Sequence, residues 1–227
     1  MSIIAYDGVR FSAVVKREFD PAMAFCRDAV TYNGTAVTLQ VGAVLGAFIA
    51  SPVATPGVVV GTGNGTISAV TAASVLGLEI GNYIVKLTSA TAFELLSATA
   101  RVMGVGIVGT AFNQVGLTFT VTAGATPFIQ GDYFPLAVTG TVKYKLCEAT
   151  ATDGSQFAKV IYLADQIGLS HPLLTVVNTD TVLLVMSRGP AIVDASQLSF
   201  GASVTGNALT IALAQLKSVG IVPETQV

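Results

Sequence analysis

Apolar and polar residues alternate with a period of two along most of this chain, and a helical period surfaces only near its end. In Thr141–Cys147, Val142, Tyr144 and Leu146 interleave with Lys143, Lys145 and Cys147, as in a strand with one face turned inward. Asp153-Gly154 then marks a tight turn, because Gly accepts positive φ and Asp bonds the backbone that follows it. Phe157–Leu163 and Thr181–Met186 read as two more strands, the second ending at the chain reversal Arg188-Gly189-Pro190. The pattern predicts that these three strands share one sheet. Upstream, Val30–Ala50 reads as strand, two-residue Asn33-Gly34 hairpin loop and strand, with Val44, Leu45 and Phe48 entering the core.

Ser51–Gly57, with Pro52 and Pro56, breaks that pattern. From Gly57 to about Val138 the chain is almost pure strand vocabulary punctuated by Gly. Gly81-Asn82-Tyr83 and Gly131-Asp132-Tyr133 open two similar segments, and Leu117, Phe119 and Val121 alternate cleanly between them. Six or seven short strands at this spacing predict a small β-sandwich or open barrel. It would be inserted into another domain, entered near Pro52–Gly57 and left near Thr139-Gly140. Only Ala208–Ser218 reads as a convincing helix. Leu209, Leu213 and Leu216 form its stripe, Asn207 is the candidate N-cap, and Lys217 sits near the carboxyl end. Gly220 offers the left-handed stop, Ile221 packs back, and Pro223 prevents continuation.

Composition changes this picture in one respect. Of 227 residues only 11% are charged and 52% are apolar, against roughly 25% charged in an ordinary soluble domain. No Asp, Glu, Lys or Arg occurs between Asp28 and Glu79 or between Arg101 and Asp132. Tracts like these fit surface covered by a partner, or a Thr/Ser/Gly-rich β surface that is soluble without charge. The longest apolar run, Val41–Ala50, falls well short of the ~20 residues of a membrane-spanning helix. Charges at Asp7, Arg10, Lys16, Arg17 and Glu18 interrupt any signal-peptide core. A net charge of −2 argues against nucleic acid as a partner. Cys26 and Cys147, far apart, read as buried free thiols of a protein made in a reducing cytoplasm.

Candidate chemistry is thin. Gly104, Gly106 and Gly109 spell a GxGxxG, yet strand formers follow where a dinucleotide site needs a helix. Gly61, Gly63 and Gly65 lack the Lys-Ser/Thr of a phosphate loop and read as turns. His171, the single histidine, has Asp165 or Asp180 as conceivable acids but no nucleophile elbow. One His and two distant Cys do not make a zinc set. The carboxylates Glu79, Glu94, Asp132, Glu148 and Asp153 are scattered. A glycosidase pair among them fits poorly with a chain that has no Trp. The residues therefore predict no cofactor, no metal and no enzyme.

The order of the pieces carries more. The basic strand, ATATDGSQFAKVIYLAD, TVLLVMSRGPAIVDASQLSF and the closing LKSVGIVP, with VTLQVGAVLGAFI upstream, resemble the lambda-type bacteriophage head decoration proteins. The shared features are a DGS-type turn, a strand ending near Asp, a strand ending in Arg-Gly, a terminal LxxxGI and a "Gly, then Val-Leu-Gly" element. The resemblance covers roughly half to two thirds of the chain. It implies a mainly β fold with a minor α component, in which a head-decoration domain (31–56 and 139–227) is interrupted by the inserted β domain (57–138). It also implies a homotrimer that binds the major capsid protein on the exterior of the mature head and cements the shell, after assembly in the host cytoplasm.

Residues 1–30 mix charge with isolated apolar residues, and Ala13-Val14-Val15 suits a short strand. Under the resemblance they form a capsid-binding arm that adds a strand to the shell through Ile3, Ile4, Tyr6, Val9, Phe11 and Val14. A flexible tail, or a strand of the protein's own sheet, is the plainer reading. Two other functions stay open at this point: a tail-associated adhesin that binds host glycan through the inserted domain, and a hydrolase built around His171.

Overall fold

The computed structural model describes residues 11–35, 37–165, 173–176 and 180–225. The chain divides into two compact units, Met1–Phe48 with Val142–Val227, and Ile49–Thr141. It opens with a one-turn helix α1 (Phe11–Val14) and strands β1 (Val15–Glu18), β2 (Arg27–Tyr32), β3 (Val37–Gln40) and β4 (Val44–Pro56). The second unit follows with β5 (Thr66–Ala72), β6 (Gly81–Leu87), β7 (Ala92–Leu96), β8 (Val102–Ile107), β9 (Ala111–Gln114), β10 (Leu117–Thr122) and the first part of β11 (Tyr133–Leu146). The chain ends with β12 (Val160–Asp165), β13 (Leu173–Val176), β14 (Thr181–Met186), β15 (Ala191–Asp194), α2 (Asn207–Ser218) and β16 (Ile221–Glu224). The fold is mainly β with one substantial helix near the carboxyl end.

In the first unit the strand order is β2-β14-β12-β4, and the end of β11 lies beside both β4 and β2. Tyr144 pairs in parallel with Tyr32, and the Cys147 amide donates to the Val44 carbonyl at 3.0 Å. The sheet thereby closes into a small barrel. The three segments first read as strands, around Thr141–Cys147, Phe157–Leu163 and Thr181–Met186, all lie in it. Val44, Leu45, Ile161, Leu183 and Val185 are fully buried. Ala212 and Leu216 of α2 join the same core, as does the inner face of a second sheet, β1-β15-β16.

Two predictions fail in this region. Asn33-Gly34 is not a hairpin: β2 pairs with β14, whereas β3 pairs with β13. Neither residue takes the positive φ that such a loop requires, and the Asn33 amide instead donates to Tyr144 O at 2.8 Å. Asn207 is not the cap of α2 but its first residue; Gly206, with φ 54°, holds the cap position without a side-chain bond. Gly220 does take the left-handed stop, φ 82°. Beyond it Ile221 starts β16, where Pro223 is tolerated on an edge strand.

The motifs that carried the resemblance meet in space through glycines. A Cβ on Gly46, in the Val-Leu-Gly element, would lie 1.9 Å from the carbonyl oxygen of Ser155, in the Asp-Gly-Ser turn. A Cβ on Gly189, in the Arg-Gly pair, would lie 1.8 Å from the Gly220 carbonyl of the terminal LxxxGI. The Gly189 amide donates to Val219 O at 2.8 Å beside that contact. Only glycine permits backbones this close.

The second unit contains two sheets, β5-β10-β9 and, from the first part of β11, β11-β6-β7-β8. The similar segments around Tyr83 and Tyr133 are antiparallel neighbours, Leu136 opposite Tyr83. Leu117, Phe119 and Val121 all point inward, with Phe93, Phe112, Phe128 and Phe134. Phe112 stacks on Phe119 with centroids 4.7 Å apart. The expected boundary breaks are absent: Pro52 and Pro56 lie within β4, and Gly140 lies within β11. Unit limits at Phe48 and Val142 thus fall inside two long strands, so local composition does not mark them.

Candidate functional site

Of the six residues proposed for the arm, Ile3, Ile4, Tyr6 and Val9 lie outside the described residues. Val14 is fully buried in the core of the first unit, against Gly42, where an added Cβ would come within 3.1 Å of it. Phe11 is half-buried, and the Arg27 guanidinium sits 5.0 Å above its ring. Arg27 also pairs with Glu18. β1 then pairs antiparallel with β15. Residues 11–30 are thus part of the folded body, because Val14 and Val15 have a core to enter.

Beyond β1 the chain displays a cluster that the sequence reading missed. Asp20 and Ala24, both left-handed at φ 45° and 52°, frame a single 3-10 turn, Pro21–Met23. Phe19 and Phe25 meet edge-to-face at 5.4 Å, and Met23 is largely exposed beside them. Arg188 braces the turn: its Nε donates to Phe25 O at 2.7 Å and it pairs with Asp28 at 3.0 Å. Arg17, Phe19, Pro190, Ile192 and Val222 line a neighbouring open cavity of about 450 Å³. The sequence signal was two Phe flanking Asp-Pro-Ala-Met-Ala, five residues too few for any periodicity.

The described residues weighed for catalysis are individually engaged. Asp180 accepts from Lys143 Nζ at 2.8 Å and from the Asn33 side chain, which lowers its pKa. His171 lies outside the described residues, and of Asp165 only the backbone, closing β12, is described. Glu79 pairs with Arg101 at 2.7 Å, Glu94 with Lys86 at 3.6 Å and Asp153 with Lys145 at 2.7 Å. Glu148 accepts from the Ser203 amide at 3.1 Å and from its hydroxyl.

Asp132, nearly inaccessible, accepts the amides of Thr62, Gly63 and Ile129 at 2.8, 2.9 and 3.0 Å. These bonds hold its pKa below the usual carboxylate value. The Gly61–Gly65 loop is therefore folded around a carboxylate of its own chain. Two of the GxGxxG glycines serve packing, since Cβ atoms on Gly104 and Gly106 would strike Gln114 and the Phe93 ring, each at 2.2 Å. Gly109, by contrast, has open space around it and takes φ 84°. Cys26 and Cys147 are free and buried, and burial pushes the Cys147 thiol up to about 11. Among the described residues no group of His, Cys, Asp or Glu is placed to hold a metal ion. No described helix is long and apolar enough to cross a membrane.

The fold is a mainly β barrel whose distinguishing motifs meet through glycine contacts. Glu79, Glu94, Asp132, Glu148, Asp153 and Asp180 are each held by partners within the chain. The chain belongs to the family of the bacteriophage lambda head decoration protein D, which matches residues 7–221. Membership makes it a structural component of the phage virion, associated with the capsid, in a family that is not a class of enzymes. No curated protein matches the chain. Two crystal structures of Xanthomonas campestris FlgL are similar to part of it, at 23% and 19% identity over 45% and 50% of this chain, with TM-scores of 0.32 and 0.24. The chain spans about a third of their length, 33% and 32%.

Proposed function

We propose that the protein binds the exterior of the assembled phage head as a homotrimer and cements the shell through contacts with the major capsid protein. The family match over residues 7–221 carries this reading. The mechanism is mass action. A ligand that binds the assembled shell and not its separated subunits stabilises the shell by its binding free energy.

Attachment falls to the amino-terminal segment ahead of α1, where Ile3, Ile4, Tyr6 and Val9 are more apolar than a free tail needs. Ordering that segment costs roughly 1–2 kcal/mol per residue of backbone. Strand pairing with the coat protein and burial of alternate side chains offset that cost. The exposed Phe19, Met23 and Phe25 add apolar surface on the same unit. The test is co-sedimentation with mature shells of the full chain and of a chain lacking Met1–Arg10. Deletion leaves melting unchanged and sharply weakens binding; equal binding by both puts the attachment in the folded body. The deletion stops at Arg10 because Val14 and Val15 are buried.

A further inference from the structure

We propose that β8 is an open sheet edge completed by β8 of a second copy of this chain. Its ladder runs to β7 alone. Edge strands ordinarily carry a charge, a Pro or a bulge that discourages pairing; Val102–Ile107, VMGVGI, has no charge and no Pro. Its register shift falls at Met103, leaving Gly104–Ile107 in regular register with β7. Val105 and Ile107 face solvent at 67% and 61% exposure. The apolar surface continues inward from the edge, since Val102 lies opposite Leu96, Leu96 opposite Ile84, and Ile84 opposite Pro135. The ionic interruption in this surface is Lys86 with Glu94, paired at 3.6 Å.

Three features select a second copy as the occupant. The surface is neutral, so two of them meet without like-charge repulsion. The strand is self-complementary about a two-fold axis through Val105, which sets Gly104 opposite Gly106 in both directions and Val105 opposite itself. The glycines contribute no side chains of their own to the pairing, and the groups over their inner face, Gln114 and Phe93, belong to the same chain. An isologous contact of this kind pairs two copies, and on the proposed homotrimer, which carries three such edges, it links neighbouring trimers. Its purpose rests on the decoration reading, under which many copies stand side by side on one shell; the contact itself does not.

Two exposed valines of the second unit make the test, Val105 and, as a control, Val58 at 82% exposure. In the full-length chain, Val105→Cys places two cysteines directly opposite each other, with the Cα separation of about 4.5–5.5 Å of an antiparallel pair, inside the roughly 4.4–6.8 Å that a disulfide spans. Both native cysteines are buried and silent. Mild oxidation is expected to yield a covalent pair from Val105→Cys and not from Val58→Cys. Val105→Lys is expected to raise the half-association concentration at least tenfold in sedimentation velocity, and Val58→Lys to leave it unchanged. No cross-link at Val105, equal cross-linking at Val58, or association indifferent to Val105→Lys overturns the pairing. Shell co-sedimentation of the same samples keeps the two ideas apart. Shell binding without cross-linking sinks the pairing alone, and cross-linking without shell binding sinks the decoration reading alone.

Discussion

The α hydrogen of Gly46 faces the Ser155 carbonyl, with no room for a methyl group. Gly46→Ala is expected to cost about 1–3 kcal/mol through backbone displacement, read as a lower denaturation midpoint at unchanged slope. Asp132 makes a complementary case, because its requirement is charge. Its folded pKa is lowered by three amide donors. Its stabilisation is complete above the ordinary carboxylate value of about 3.9. It is lost as pH falls through the lowered value, because the unfolded chain takes up the proton first. Asp132→Asn should lower the melting temperature at neutral pH and flatten the loss of stability in acid, measured by melting from about pH 6 downwards. Both sites were visible in the sequence as Gly-rich or acidic positions. Their partners, distant in sequence, were not.

For whole elements, legibility followed periodicity. β10 could be read because Leu117, Phe119 and Val121 alternate and all three are buried. α2 could be read because its stripe, its basic last turn and its glycine stop agree. The stripe was nonetheless rotated: Ala212 and Leu216 are buried, whereas Leu213 is half-buried. Leu216→Ala should therefore cost on the order of 2–5 kcal/mol, with Leu213→Ala costing clearly less, by urea denaturation of the two variants. Equal losses would mean that the helix packs through the stripe first read. The Asn33-Gly34 hairpin failed for a different reason. A favourable loop dipeptide was outweighed by strand pairings of β2 with β14 and of β3 with β13 that no local pattern announces.

Across the molecule, the uncharged tracts 29–78 and 102–131 supply the whole of β3, β4, β5, β9 and β10 and the exposed edge β8. We propose that the Ile49–Thr141 unit is an insertion into a barrel that is complete without it. Its aromatic core is its own. The chain leaves the first unit in β4 and returns in β11, strands that are neighbours in one sheet. Excision at Phe48 and Val142 therefore needs only a short turn between adjacent strand ends, and short loops close at little entropic cost. A chain cut there should unfold cooperatively and still co-sediment with shells. Removing only 57–138 leaves overhanging strand ends, Ile49–Pro56 and Thr139–Thr141, without the core they packed on, and should aggregate more. Circular dichroism melts and shell co-sedimentation of both variants decide the matter. An unfolded chain after the Phe48–Val142 excision would show that the barrel depends on the second unit.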